Sequence, residues 1–259
     1  MTAFHRVLDP AGGKQVTAGF CALAVMTKAP RAGQVKTRLT PPLRPEEAAA
    51  LNTCFLQDIA GTLAKSSREG LSRGVAVYTP VGAEDAYAEI LPREFELVPQ
   101  RGDTFGERLT YAMQDLFAVG FESVCLINSD SPTAPQRAFS EAAQALSRPG
   151  ERVVLGPSED GGYYLIGLKK LQDRLFSDID WSTDKVLEQT LARAAEINLD
   201  VHQLQTWYDI DDRATLRRLC QELLSSDGAP HDAAAAPETT KFLNEIIERE
   251  GRERIWPND

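Results

Sequence analysis

Short apolar runs alternate with stretches of helical spacing along most of the chain. Seven runs have the length of strands, and the last of them is the weakest: Phe20–Met26, Val75–Tyr78, Phe95–Val98, Val124–Asn128, Val153–Leu155, Tyr163–Leu168 and Leu199–Leu204. Alternating strands and helices are typical of α/β proteins, in which helices cover both faces of a mainly parallel sheet. The pattern therefore predicts this fold class.

Two of the helices are indicated most clearly. Apolar residues recur every four positions from Leu51 to Leu63, behind a proline and two acids at 45–47 that suit a helix N-terminus. Thr104 and Glu107 have the spacing of a capping box and precede a second repeat of this kind. Further helical stretches lie near 135–147, 183–196 and 212–224.

One pair of strands breaks the alternation. Only Gly156–Gly162 separates Val153–Leu155 from Tyr163–Leu168, and this is too short for a crossover helix. These two runs are expected to pair antiparallel or to change direction sharply. The sheet is therefore expected to be mixed, although mostly parallel.

The chain has 259 residues, a length that suits one main α/β domain better than two full domains. We expect this domain over 19–225. Residues 1–18 are polar and aperiodic, which predicts a flexible extension. The tail over 226–259 is expected to hold an alanine-rich linker, Ser226–Pro237, and a short helix over Glu238–Glu250.

Composition excludes several classes of protein. The formal charge is −10, which disfavours uniform binding of nucleic acid because an acidic surface repels phosphates. The four cysteines lie more than thirty residues apart, so neither a zinc knuckle nor a disulfide framework is expected, as in a reducing compartment.

The longest apolar run is Phe20–Met26, far short of the roughly 20 residues that cross a bilayer. A signal peptide is disfavoured by the long, mixed-charge start, and we expect a cytoplasmic protein without a membrane partner.

A cationic segment directly follows the first predicted strand. No acid lies between Pro10 and Arg44, and the core of this segment holds four cations: Lys28, Arg31, Lys36 and Arg38. In open α/β sheets, ligands bind beyond the carboxyl ends of strands, where backbone amides favour anions. The segment predicts a site for a di- or triphosphate, and a solvated basic loop is the alternative. Neither the Walker loop nor the Rossmann fingerprint is present.

Acids follow two of the predicted strands. Asp130 ends the apolar run before Pro132, where it could ligate a divalent cation or form an Asx turn. Asp209, Asp211 and Asp212 lie before the helix near 212–224, and capping explains only one of them, with Asp212 the best candidate. Mg²⁺ commonly takes one or two protein carboxylates, so Asp130 with Asp211 or Asp209 would suffice.

Other candidate features are ambiguous. Gly161 and Gly162 follow Asp160 and permit close backbone approach to a ligand, but a tight turn has the same requirement. Arg108 has no explanation from helix capping. Trp181 and Trp207 are more typical of packing than of base stacking. The three histidines are scattered and no nucleophile elbow is present, so Ser-His-Asp chemistry has no support.

Together these motifs resemble a known family. The resemblance rests on five ordered strings: K-A-P-x-x-G-x-V-K-T-R-L at 28–39, S-D-S-P at 129–132, G-P-x-x-D-G-G-Y-Y-L-I-G at 156–167, D-x-x-W-S-T at 178–183 and W-Y-D-I-D at 207–211. They look like the glycosyltransferase-A-like transferases sometimes called selenodomain-associated transferase 1. That family belongs to the nucleotide-diphospho-sugar transferase superfamily and is similar to 2-phospho-L-lactate guanylyltransferase. The resemblance spans about 20–224 and implies a three-layer α/β/α sandwich with a mixed, mostly parallel sheet.

The resemblance also implies roles for individual residues. The nucleotide phosphates would face Lys28, Arg31, Lys36 and Arg38, and the catalytic set would be Lys36, Arg38 and Asp130. Asp130 would be the principal ligand of Mg²⁺ or Mn²⁺, with Asp211 or Asp209 as the second ligand. The acceptor side would be lined by Asp160, Gly161 and Gly162. Arg108, which lies outside the five motifs, is a further candidate for binding the substrate.

Three functions follow as hypotheses. The leading one is metal-dependent nucleotidyl transfer, in which a phosphorylated small-molecule acceptor attacks the α-phosphate of a nucleoside triphosphate and pyrophosphate leaves. The first alternative is glycosyl transfer from a nucleotide-diphospho-sugar, which would release a nucleoside diphosphate. The second alternative is nucleotide binding without turnover. The sequence identifies neither the base, nor the acceptor, nor the oligomeric state.

Overall fold

A computed structural model describes residues 4–68, 70–225 and 232–256. The described residues form a seven-stranded sheet with the strands β1 Cys21–Lys28, β2 Ser72–Thr79, β3 Glu96–Pro99, β4 Ser123–Ile127, β5 Arg152–Pro157, β6 Tyr163–Leu168 and β7 Asp200–Gln203. The α-helices are α1 Pro45–Ser67, α2 Phe105–Ala118, α3 Gln136–Ser147, α4 Val186–Glu196, α5 Arg213–Leu224 and α6 Pro237–Glu250. Each apolar run predicted as a strand therefore contributes to the sheet.

The sheet is mixed, and one strand accounts for this. The strand order is β3-β2-β1-β4-β6-β5-β7, and β6 runs antiparallel to both β4 and β5. The remaining neighbours are parallel. The expected antiparallel pairing of β5 with β6 is confirmed, because the five residues between them leave no room for a crossover helix.

Helices cover both faces of the sheet. Successive residues of β1 point to opposite sides, so Leu23 and Val25 belong to one apolar cluster while Ala22 and Ala24 belong to the other. The first cluster includes buried residues of α1, α3, α5 and α6, and the second includes buried residues of α2 and α4. The three-layer α/β/α arrangement follows, and the fold class expected from the sequence is confirmed.

The N-terminal stretch differs from the expected flexible extension. Leu8 is fully buried, and its N–H donates to Leu97 O at 2.8 Å along the outer edge of β3. Val16 is also buried, and its N–H donates to Val119 O at 2.9 Å. This stretch covers a sheet edge that would otherwise expose unpaired backbone groups.

The C-terminal helix is part of the same core. Asp58, in α1, accepts hydrogen bonds from the N–H groups of Glu238 and Thr239 at 3.0 and 2.9 Å, so it caps α6 from outside the helix. Leu243 and Ile246 are buried in the first apolar cluster. Of the expected linker, residues 226–231 lie outside the described residues. None of the described helices combines the length and apolar character that a membrane span requires.

Candidate nucleotide and metal site

A cleft of about 610 Å³ opens at the carboxyl ends of the parallel strands. Its walls come from segments that follow strands: Lys28 at the end of β1, Asn128–Asp130 after β4, and residues between Ser158 and Gly162 after β5. Asp209 and Asp211 line the cleft from the segment before α5. This is the edge of the sheet at which the sequence predicts a ligand site.

The structure brings Asp130 and Asp211 together around one cation. The Lys36 Nζ atom lies 2.9 Å from Asp130 Oδ1 and 2.9 Å from Asp211 Oδ1, and it donates to Ile210 O at 2.7 Å. The backbone holds the two acids close, because Ile210 N donates to Asp130 O at 2.9 Å. Acids from two distant segments of the chain therefore converge on the cationic loop.

Lys36 is held in an unusual conformation. Its backbone is left-handed at φ 48° and ψ 37°, directly before a short 3₁₀ helix at Thr37–Leu39. A non-glycine residue in this region carries strain, which the surrounding structure must hold in place. Its side chain is only 5% exposed. Burial lowers the pKa of the Lys36 ammonium, but attraction to Asp130 and Asp211 outweighs burial and raises this pKa above its ordinary value.

The other predicted cations divide into two groups. Lys28 and Arg38 line the cleft, and Lys28 Nζ donates to Gln34 O at 3.3 Å. Arg31 is exposed and is not part of the cleft lining. Arg108 lies outside the lining as well, and its Nε donates to Gly102 O at 3.2 Å, within the turn before α2. Arg31 and Arg108 therefore lie outside the set of residues that line the cleft.

The three aspartates in the segment before α5 make different contacts. Asp212 caps α5, accepting from Thr215 N at 2.8 Å, as expected. Asp209 accepts from Ser158 Oγ at 3.1 Å, whereas Asp211 contacts Lys36. In the described part of the chain, no group of three or more His, Cys, Asp or Glu side chains is arranged to hold a metal ion. Of the two residues left open as a second metal ligand, Asp211 is the one that shares the Lys36 ammonium with Asp130.

Gly161 positions the loop between β5 and β6. Its φ is +88°, and a Cβ atom at this residue would lie 2.1 Å from the carbonyl oxygen of Asp184. Its own carbonyl accepts from Leu187 N at 2.8 Å, which ties the loop to the start of α4. Asp160 and Gly162 line the cleft, while Gly161 supports them from behind. The tight turn expected from the glycines is present, and it places Asp160 and Gly162 at the cleft.

Comparisons with known proteins bear on the fold and the family. The family described as "Uncharacterized protein conserved in bacteria" (DUF2064) matches residues 62–183. A solved protein of Desulfovibrio desulfuricans G20, described as a "putative nucleotide-diphospho-sugar transferase", is 29% identical with a TM-score of 0.76, and the match covers 91% of this chain and 99% of that chain. The chain has the nucleotide-diphospho-sugar transferase fold. The resemblance drawn from the five motifs is thereby confirmed.

Two more distant structures share the nucleotide-diphospho-sugar transferase fold. A CMP:2-keto-3-deoxy-manno-octonic acid synthetase complexed with CTP is 11% identical with a TM-score of 0.51, covering 77% of this chain and 96% of that one. A cytidylyltransferase from Leptospira borgpetersenii serovar Hardjo-bovis (strain JB197) is 9% identical with a TM-score of 0.51, covering 94% and 98%. A comparison with curated protein sequences gives no match.

Several lining residues were not predicted from the sequence. Phe105 and Trp181 form an edge-to-face aromatic pair with ring centroids 5.4 Å apart on the wall of the cleft. Gly106 makes room for the indole, because a Cβ atom there would lie 2.4 Å from Trp181 Nε1. Asn52 lines the cleft from α1, but in the sequence it lies within an apolar repeat that predicts only packing. Asp184 adds a further carboxylate to the lining. Trp181 was predicted as a packing residue, and its motif gave no sign of its partner in α2.

Asp209 predicts a measurable pH dependence of stability. Burial, with repulsion from Asp160 and Asp211, raises the pKa of Asp209 to about 6 from an ordinary value of 3.8. Between these values the native state binds more protons than the unfolded state, so this group lowers the free energy of unfolding as pH rises. We expect Asp209→Asn to match the parent protein near pH 4. Because this half-buried group is partly screened by solvent, we expect the variant to be about 1 to 2 kcal/mol more stable near pH 7.

Urea unfolding in a metal chelator, at several pH values, measures this difference. Asn keeps the oxygen that accepts from Ser158, so the substitution removes the charge without removing the hydrogen bond. A stability gap that does not change between pH 4 and pH 7 would show that Asp209 ionises normally.

Proposed function

We propose that this protein is a metal-dependent nucleotidyltransferase that transfers a nucleotide from a nucleoside triphosphate to a small-molecule acceptor and releases pyrophosphate. The observation that carries the proposal is the convergence of Asp130 and Asp211 on Lys36, at the sheet edge that also presents Lys28 and Arg38. Carboxylates and cations placed side by side suit a ligand that combines a divalent ion with a polyphosphate.

The carboxylate pair fits Mg²⁺ or Mn²⁺. The Oδ1 atoms of Asp130 and Asp211 both lie 2.9 Å from the Lys36 ammonium. Their spacing therefore allows both carboxylates to contact one cation. Hard divalent cations prefer carboxylate oxygens, and Mg²⁺ commonly takes one or two of them. When bound, such an ion supplies positive charge that stabilises the phosphate oxygens during transfer.

The protein's own contribution is binding and orientation. Lys28, Lys36 and Arg38 offer three cations to the phosphates from one short segment that follows β1. Phosphoryl transfer requires little covalent participation by the enzyme, so holding the reacting groups in line and stabilising their charge accounts for most of the rate. The strained backbone of Lys36 fixes the direction in which this side chain enters the cleft.

The charges of the remaining lining residues bear on the acceptor. Among the described lining residues, every Lys and Arg belongs to the segment 28–38, whereas the other charged residues, Asp160, Asp184 and Asp209 among them, are carboxylates. An acceptor phosphate beyond the reach of that segment would meet carboxylates rather than cations. We therefore propose an acceptor rich in hydroxyl groups, which carboxylates bind by accepting hydrogen bonds, in place of the phosphorylated acceptor expected from the sequence.

Glycosyl transfer is the second candidate function. The Desulfovibrio desulfuricans G20 protein, which covers most of this chain, is described as a "putative nucleotide-diphospho-sugar transferase". The carboxylates and aromatic rings that line the cleft suit a sugar in either reaction, since sugars present hydroxyl groups together with apolar faces. The released product distinguishes the two functions.

The deciding experiment identifies that product. The purified protein is incubated with each nucleoside triphosphate or nucleotide-diphospho-sugar, with Mg²⁺ or Mn²⁺, and with sugars and polyols or their phosphates as acceptors. We expect metal-dependent pyrophosphate from a triphosphate, and more of it with unphosphorylated acceptors. Nucleoside diphosphate released only from a nucleotide-sugar would establish glycosyl transfer. Saturable nucleotide binding without either product would indicate a protein that binds nucleotides without turnover.

A further inference from the structure

We infer that the Lys36 ammonium and the divalent ion occupy the same position at different times. The ammonium neutralises the charge of Asp130 and Asp211 until the ion binds together with a nucleotide. This inference rests on the proposed function. Its basis is the environment of the ammonium, which has three oxygen neighbours: Asp130 Oδ1, Asp211 Oδ1 and Ile210 O, at 2.9, 2.9 and 2.7 Å. The Lys36 side chain is also only 5% exposed.

The two cations cannot share the carboxylate pair. Mg²⁺ binds oxygen at about 2.0 to 2.1 Å, so an ion held by both Oδ1 atoms would lie in the space that the ammonium fills. Two positive charges within a few ångströms repel strongly in a partly buried site. Entry of the ion therefore requires that Lys36 move away, which removes its charge-assisted hydrogen bonds to both carboxylates and to Ile210 O and leaves the ammonium without these partners.

Phosphate oxygens would give Lys36 a new partner within reach. Lys36 lines the cleft together with Lys28 and Arg38, and its ammonium sits at the end of a flexible four-carbon chain. When a polyphosphate enters with the ion, Lys36 exchanges carboxylate oxygens for phosphate oxygens, and no charge is left unpaired. When the ion enters alone, this compensation is absent. The exchange thus predicts that the free ion binds weakly and that the ion and the nucleotide bind with positive coupling.

Binding of Mn²⁺ to the protein without nucleotide tests the exchange. Free Mn²⁺ is measured by electron paramagnetic resonance during titration of the parent protein, Lys36→Met and Lys28→Met. We expect Lys36→Met to tighten Mn²⁺ binding by about ten- to a hundredfold, the equivalent of about one hydrogen bond to a charged group. Lys28→Met is the matched control, because Lys28 is exposed in the same cleft and its ammonium bonds to Gln34 O.

The control variant should change Mn²⁺ affinity by less than about twofold, since Lys28 acts on the pair only through screened, longer-range attraction. If Lys36→Met does not fold, Lys36→Gln removes the same charge with a polar side chain and serves in its place. Mn²⁺ affinity that stays within about twofold of the parent protein in the Lys36 variant would overturn the exchange. So would an equal gain in the Lys28 variant.

The outcome is separable from the proposed function because the titration contains no nucleotide. Tighter Mn²⁺ binding by the Lys36 variant, in a protein that forms no product with any nucleotide, would support the exchange and reject the transferase. Metal-dependent release of pyrophosphate by the parent protein, combined with unchanged Mn²⁺ affinity in the Lys36 variant, would support the transferase and reject the exchange.

Discussion

Asp130→Asn is expected to lower metal-stimulated turnover by about 100- to 1,000-fold, the range observed when one group that stabilises transition-state charge is removed. The substitution keeps the size of the side chain but removes one of the two negative charges that face the shared cation. Asp211→Asn should fall in the same range, because its carboxylate stands at the same distance from Lys36 as that of Asp130. Initial rates over a titration of Mg²⁺ measure both effects.

The matched control is Asp85→Asn. Asp85 is exposed on the 3₁₀ helix Glu84–Tyr87, away from the cleft, so its variant should retain the rate of the parent protein. A purified, folded Asp130→Asn protein with a rate within about tenfold of the parent protein, and with the same dependence on Mg²⁺, would show that the carboxylate pair does not hold the metal.

Gly161→Ala is expected to destabilise the protein by about 2 to 5 kcal/mol and to abolish turnover. The left-handed backbone costs an alanine about 1 to 2 kcal/mol, and the overlap of the new Cβ atom with the backbone of Asp184 adds about 1 to 3 kcal/mol. The carbonyl group of Asp184 cannot move away without shifting the start of α4. Val186, at the start of α4, lines the cleft. Thermal or urea unfolding measures the loss.

Gly82→Ala separates the two contributions. Gly82 has φ +86°, close to that of Gly161, but a Cβ atom there meets nothing within 4 Å. This variant should therefore lose only the conformational part, about 1 to 2 kcal/mol, and retain turnover. Equal destabilisation by the two substitutions would mean that the loop moves freely away from Asp184, and that Gly161 does not hold the wall of the cleft.

The order of elements could be predicted from the sequence because each strand is a local apolar run. The run at Tyr163–Leu168 corresponds to β6 residue for residue, and the direction of β6 followed from the length of the preceding loop. The burial of Leu8 and Val16 could not be predicted in this way. Each is an apolar residue in a polar context, and its partners, Leu97 and Val119, lie about a hundred residues further along the chain.

The location of the site could be predicted because the carboxyl ends of parallel strands lie at the same edge of the sheet. That principle placed Asp130 and Asp211 beside the cationic loop, and the structure brings all three together. The choice between Asp209 and Asp211 depended on which of them meets Lys36 and which meets Ser158, and both contacts join distant segments. Sequence spacing carries no information about contacts of this kind.

The pairing of Phe105 with Trp181 escaped prediction for the same physical reason. Phe105 begins α2 and Trp181 lies in the loop before α4, so no local pattern relates them. Gly106 was a possible signal, since a glycine in the first turn of a helix often marks close approach by another side chain. The identity of that side chain still required the fold.

Anomalous diffraction at the manganese edge, from crystals grown with Mn²⁺ and a non-hydrolysable nucleoside triphosphate, tests the central claim most directly. The account predicts a peak within about 2.5 Å of one oxygen from Asp130 and one from Asp211, with the Lys36 ammonium moved onto the phosphates. A bound nucleotide whose manganese lies away from both carboxylates, with Lys36 still between them, would contradict it.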